Sequence, residues 1–246
     1  MLRLFYGEIM DLVKETWTEN DIINFKKYLL SFSKGEEKGK WEKRILNTKL
    51  PCIAVPSQVS RKIIKEISKG NFLSFIDFWL WENYTESMIV GNLICYIKDF
   101  DVFEKYLIKY ANKVDNWANC DCLKFKINLN NKDKFFNLAK KLIKNKKPFV
   151  KRVGLIILFK LVLYKEYLNE IFNILNSFKN EEHYYVNMML AWLLSECFVK
   201  YREETLNFLK THNLNKFVIN KGISKCRDSF RVSKEDKEFL LRYKVK

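Results

Sequence analysis

The chain is short of turn-forming residues, with seven Gly and three Pro in 246 positions. Sheets joined by tight turns and Gly-rich nucleotide loops need far more of both, so sandwiches, barrels and phosphate-loop folds are excluded. Histidine is nearly absent, with two residues, and the six cysteines are scattered. Cys52, Cys95, Cys197 and Cys226 stand singly, while Cys120 and Cys122 are closer together than the C-x-x-C of redox and zinc sites. We therefore expect reduced thiols in a cytoplasmic protein, with no disulfide framework, metal or cofactor. No apolar run approaches the roughly 18 residues of a spanning helix, and the N-terminus lacks a charged segment followed by an apolar one. The expectation is a soluble, unexported chain without a membrane partner. Acidic residues are also few, 29 Asp and Glu against 45 Lys and Arg, a formal charge of +16.

What is present is apolar and aromatic: 48% and 15% of the residues, enough to bury a substantial core. Apolar residues recur at helical spacing from end to end. The pattern predicts helices near 21–32, 57–69, 71–82, 86–97, 100–113, 116–128, 133–145, 148–163, 166–178, 183–199, 203–211, 214–229 and 233–243. Pro148 falls at a first helical position, where its missing N–H costs nothing. Residues 33–56, rich in Lys and Glu and closed by Pro51 and Pro56, read as a long exposed connection. Short helices joined by short breaks predict an all-α fold: one domain over 1–246, an α-solenoid of HEAT-like antiparallel helix pairs. A compact helical bundle is the alternative.

The charge is one-sided. Residues 1–120 carry 18 Lys and Arg against 16 Asp and Glu, whereas 121–246 carry 27 against 13. A genome biased towards Lys and Asn would raise Lys throughout, and it does not explain a nearly neutral first half. Concentrated positive charge is the footprint of a polyanion binder.

Several residues stand out from the helical background. Trp117 and Asp121 are four apart, one turn of a helix. Asp115 reads as that helix's N-cap. Asp is a poor helix-interior residue, and Asp121 lies among Cys120, Cys122 and Leu123, so it either pairs with a neighbouring cation or serves a site. Arg152 sits in the most apolar helix, where a guanidinium must be paired or poised at a groove. Trp192, within another apolar run, reads by position as core. Near the C-terminus Lys221, Lys225 and Ser229 recur every four residues, with Arg227 and Arg231 beside them, a row of donors suited to phosphates along one strand.

The segments Val-Asp-Asn-Trp-Ala-Asn-Cys-Asp (114–121), the Arg152 helix, Tyr-Tyr-Val-Asn-Met-Met-Leu-Ala-Trp (184–192) and Asn-Lys-Gly-Ile-Ser-Lys-Cys-Arg-Asp-Ser-Phe-Arg-Val-Ser (220–233) together resemble the AlkD-like DNA alkylation repair family of HEAT-repeat DNA glycosylases. The resemblance runs from about residue 57 onward. It implies catalytic positions at Trp117, Asp121, Arg152 and Trp192 facing the lesion and its sugar. DNA-backbone contacts would come from Lys151, Lys221, Lys225, Arg227 and Arg231. The implied activity is excision of N3- and N7-alkylated purines from double-stranded DNA without flipping the base, by a monomer needing no obligatory protein partner. Ala54-Val55-Pro56 stands where many members carry Gly-Val-Arg-x-Pro, and the Tyr-Tyr-Val-Asn-Met-Met run resembles a paralogous branch. A catalytically weak paralogue that binds nucleic-acid backbone is the second expectation, and a protein-interaction solenoid the third.

Overall fold

The computed structural model describes residues 10–246. Among these the regular structure is entirely helical, fourteen α-helices and two short 3-10 turns, so the all-α expectation is met. The chain divides into two compact units, the first ending at Lys126 and the second spanning Ile127–Lys246.

The first unit holds α1 (Glu19–Leu30), α2 (Glu36–Leu46), α3 (Ser57–Ile67), α4 (Phe72–Asp77), α5 (Tyr84–Ile94), α6 (Phe100–Ala111) and α7 (Trp117–Asp121). Its centre is α5, nine of whose 11 residues are buried. It is covered on nearly every side, its buried polar residues Thr85, Glu86, Ser87 and Asn92 included, and α3, α4, α6 and α7 pack around it. Asn83 starts α5 by accepting the Glu86 N–H, one of the amide protons a helix start leaves unsatisfied. At Gly91 a Cβ would lie 2.3 Å from the ring of Tyr110, itself fully buried. Gly91→Ala must therefore displace that ring, and we expect a loss of about 1–3 kcal/mol from overpacking. Urea unfolding should show a lower midpoint at unchanged slope, and an unaltered midpoint would show that α5 and Tyr110 tolerate wider spacing.

The stretch 33–56 is mostly exposed, as expected, but it is not irregular, because α2 occupies 11 of its residues. Glu36 and Glu37 lie in the first turn and Lys43 and Arg44 in the last, the polarity that suits the helix dipole. Glu36 and Lys40, one turn apart, form an ion pair at 2.9 Å. Gly35 (φ 89) opens this helix, and Asn47, left-handed at φ 52, closes it. Two expected helices are shorter than the apolar spacing predicts. Beyond α4 the chain turns through Trp79 at φ 51. Beyond α7, Leu123 and Phe125 are buried while Lys124 and Lys126 are exposed, a period of two that marks extended chain and overrides the helical reading of 116–128.

The second unit holds α8 (Lys132–Ile143), α9 (Pro148–Leu161), α10 (Leu168–Ser177), α11 (Tyr184–Lys200), α12 (Arg202–Thr211), α13 (Lys216–Asp228) and α14 (Lys234–Phe239). Pro148 is the first residue of α9, as expected. Helix α8 packs on α9, α9 on α11, and α11 on both α12 and α13. Alternate helices α9, α11 and α13 thus lie side by side, the stacking of helix pairs that solenoid repeats use. This unit carries 25 Lys and Arg against 12 Asp and Glu, so nearly all the net charge resides here. No helix among the described residues is long and apolar enough to cross a membrane. No cysteine among the described residues is in a disulfide, and burial pushes the Cys122 and Cys226 thiols up to about 12, so neither is a thiolate nucleophile at neutral pH.

Candidate functional site

In the first unit the site residues belong to α7, five residues long and far too short to persist alone. Its neighbours hold it. Asn116, fully buried, caps it by accepting the Asn119 N–H at 2.9 Å. Asn119 donates its side-chain amide to Ser87 Oγ of α5 at 2.7 Å, and its carbonyl accepts the Tyr110 hydroxyl of α6 at 3.1 Å. Asp115, expected as the cap, does something else: it accepts from Thr48 Oγ1 and the Lys49 N–H, both at 2.7 Å. It lies one residue too early for the capping geometry, which Asn116 meets with its extended backbone, and it ties the chain beyond α2 to the start of α7.

Trp117 and Asp121 are the first and last residues of this helix, one turn apart, and both are half-buried. Trp117 Nε1 donates to the Ile45 carbonyl in α2 at 3.3 Å. The indole is thus oriented by an element that apolar periodicity missed. The Glu36–Lys40 spacing was the available signal for it. Cys120 and Leu123, flanking Asp121, are buried, which leaves the carboxylate at the edge of an apolar surface.

In the second unit Arg152 is 4% exposed and donates to the Tyr185 carbonyl at the start of α11. Of the two situations expected for a guanidinium in that helix, the structure has the paired one. Trp192 departs from the core position its sequence context predicts, being 42% exposed. Helix α11 is apolar on nearly every side, so periodicity could not tell which face would be left open. The ring of Trp192 lies against Phe159, and Lys225 Nζ of α13 stands over it, 4.8 Å from the centroid. Lys221, one turn earlier, is exposed and with Lys216 and Lys244 lines an open pocket of about 550 Å³. Ser229 lies just beyond the end of α13. Three further cations of the expected set meet carboxylates: Lys151 lies 2.5 Å from Glu181, Arg227 lies 3.5 Å from Glu238, and Arg231 makes a two-pronged pair with Glu196 at 2.9 and 2.6 Å.

Residues 29–226 match the model of the DNA alkylation repair enzyme family. The chain belongs to that family. Membership assigns it to DNA repair, with DNA as its substrate, and the matched span includes Trp117, Asp121, Arg152, Trp192, Lys221 and Lys225. No curated protein and no solved structure matches the chain significantly. Among the described residues, no three His, Cys, Asp or Glu side chains are grouped as a metal ion would require.

For this DNA alkylation repair enzyme the basic set divides by what each cation already touches. Lys221 and Lys225 share one face of α13, whereas Arg231 and Lys151 are engaged by the carboxylates of Glu196 and Glu181. Duplex affinity should fall steeply with salt, and Lys221→Ala should flatten the log–log slope by about one unit, the release of one phosphate's counterions. Titrations at several salt concentrations measure this. An unchanged slope would place the phosphates elsewhere.

Proposed function

We propose that the chain is a DNA glycosylase that hydrolyses the N-glycosidic bond of cationic N3- and N7-alkylated purines in duplex DNA, without extruding the base, acting as a cytoplasmic monomer. The observation that carries this reading is the pairing of Trp117 with Asp121, half-buried, on a short helix pinned by its neighbours. An alkylated purine already bears a positive charge, so the electron pair of the breaking sugar–base bond neutralises the departing base and no proton has to be supplied to it. The positive charge passes to the sugar as an oxocarbenium ion. A carboxylate about 4 Å away stabilises that charge by about 4 kcal/mol at an effective dielectric of 20. The same carboxylate orients a water molecule, whose oxygen bonds to the anomeric carbon while its proton passes to Asp121. The indole face of Trp117 adds cation–π attraction of about 0.5–2 kcal/mol for a cationic nucleotide. Arg152, bound to the Tyr185 carbonyl, sets the start of α11, from which Trp192 projects.

A second reading, a family member that binds DNA backbone without turnover, is favoured by one observation: Arg152 is buried rather than presented to a ligand. Release of 7-methylguanine from methylated duplex DNA decides between them. Release by the wild type that is lost in Asp121→Asn supports the glycosylase. Tight binding without release supports the second reading.

A further inference from the structure

The turn that follows α13 carries the most exposed large apolar side chain among the described residues. Phe230 has a relative exposure of 103%, against 71% for Leu129 and 64% for Leu163, the next most open. The turn beneath the ring is anchored on both sides. Before it, Cys226 is buried. After it, Val232 is buried, and Ser233 caps α14 by accepting the Asp236 N–H at 3.1 Å. The Arg231 N–H donates to Ser229 Oγ at 3.2 Å, and the Arg231 guanidinium grips Glu196, a buried carboxylate of α11. The Arg231–Glu196 pair therefore clamps the turn to the body of the second unit and leaves the adjacent ring pointing into water.

The surroundings carry both signs of charge. Arg227, Lys234 and Lys237, with Asp228 and Glu238, line a cleft of about 430 Å³. Arg227 Nε is buried and has no acceptor among the described residues, so this guanidinium keeps an unused donor. Lys225 lies one turn before the end of the helix.

We infer that Phe230 is an apolar wedge that inserts between adjacent base pairs of bound DNA. A rigidly held aromatic ring flanked by cations is the combination with which DNA-bending proteins unstack a base step, the cations fixing the phosphates on either side. A protein partner fits less well, since a lone ring between charges falls far short of the several hundred Å² of contiguous apolar surface that protein interfaces use. The inference rests on DNA as the ligand, which family membership supplies, and does not depend on glycosylase turnover.

The test uses the full chain and undamaged duplexes carrying a single 2-aminopurine. Wild-type protein should raise the 2-aminopurine emission as the base unstacks. Phe230→Ala should abolish that rise and bind about tenfold more weakly, the contribution of one base–aromatic stack. Its salt slope should be unchanged, because no phosphate contact is removed. Its melting temperature should also be unchanged, and Phe230→Trp should restore both emission and affinity. Wild-type emission and affinity in Phe230→Ala would overturn the inference. So would self-association of the wild type that is lost in Phe230→Ala, since the ring would then dock on a second copy. Failure of the wild type to bind any duplex overturns it as well. Because the DNA is undamaged, unstacking without 7-methylguanine release elsewhere leaves the wedge standing and sinks the glycosylase, and release without unstacking does the reverse.

Discussion

Asp121→Asn should lower release of 7-methylguanine by about 10²–10³-fold, the range found when one preorganised electrostatic group is removed from a transition state. Asparagine keeps the size of the side chain and one acceptor oxygen, replacing the other by an NH2 donor and removing the negative charge, so folding and duplex affinity should stay close to wild-type values. The charge matters most when the sugar becomes cationic, which is why the loss belongs in the chemical step and not in binding. Single-turnover release with protein in excess over a methylated duplex isolates that step. A variant that excises at the wild-type rate would remove Asp121 from the chemistry, and one that unfolds would reassign it to the support of α7.

The second large effect concerns which bases leave. If the leaving base is activated only by its own charge, 7-methylguanine and 3-methyladenine should be released, while uracil and hypoxanthine, which are neutral, should stay attached. A neutral leaving base needs a proton donor. Asp115 is engaged by Thr48, Lys49 and Asn116 and is not available to donate. Burial lowers the pKa of both histidines, His183 and His212, below the ordinary imidazole value, so each is neutral at pH 7 and becomes a cation only in more acidic solution. Excision should therefore show no loss of rate on raising the pH from about 6.5 to 8, where an imidazolium of ordinary pKa would be deprotonated. Duplexes carrying one lesion each, incubated with excess protein and cleaved with alkali at abasic sites, give the comparison. Efficient release of uracil or hypoxanthine would refute activation by charge alone.

Much of the architecture was legible in the chain itself. Scarce Gly and Pro with apolar residues at helical spacing determined the helical class, because a chain with so few turn formers cannot close a sheet while its periodicity satisfies helices directly. Pro148 marked the start of α9 through its own covalent geometry. The lopsided distribution of Lys and Arg located the basic half, since net charge needs no folding to be counted. Trp117 and Asp121 were placed on one turn by their spacing, which any helix enforces. Other features depended on contacts between residues distant in sequence. Whether Asp115 or Asn116 capped α7 turned on Thr48 and Lys49, 66 and more residues away, which engage the aspartate. The termination of α7 after five residues came from burial of Leu123 and Phe125 on one side of extended chain. Trp192 is exposed, and Arg152 buried, because packing chooses which flank of a mostly apolar helix its neighbours cover, and apolar spacing that runs nearly all round the helix does not mark that choice. The same reasoning holds for the Phe230 turn, where the pairing of Arg231 with Glu196 across 35 residues turns an ordinary surface segment into a fixed projection.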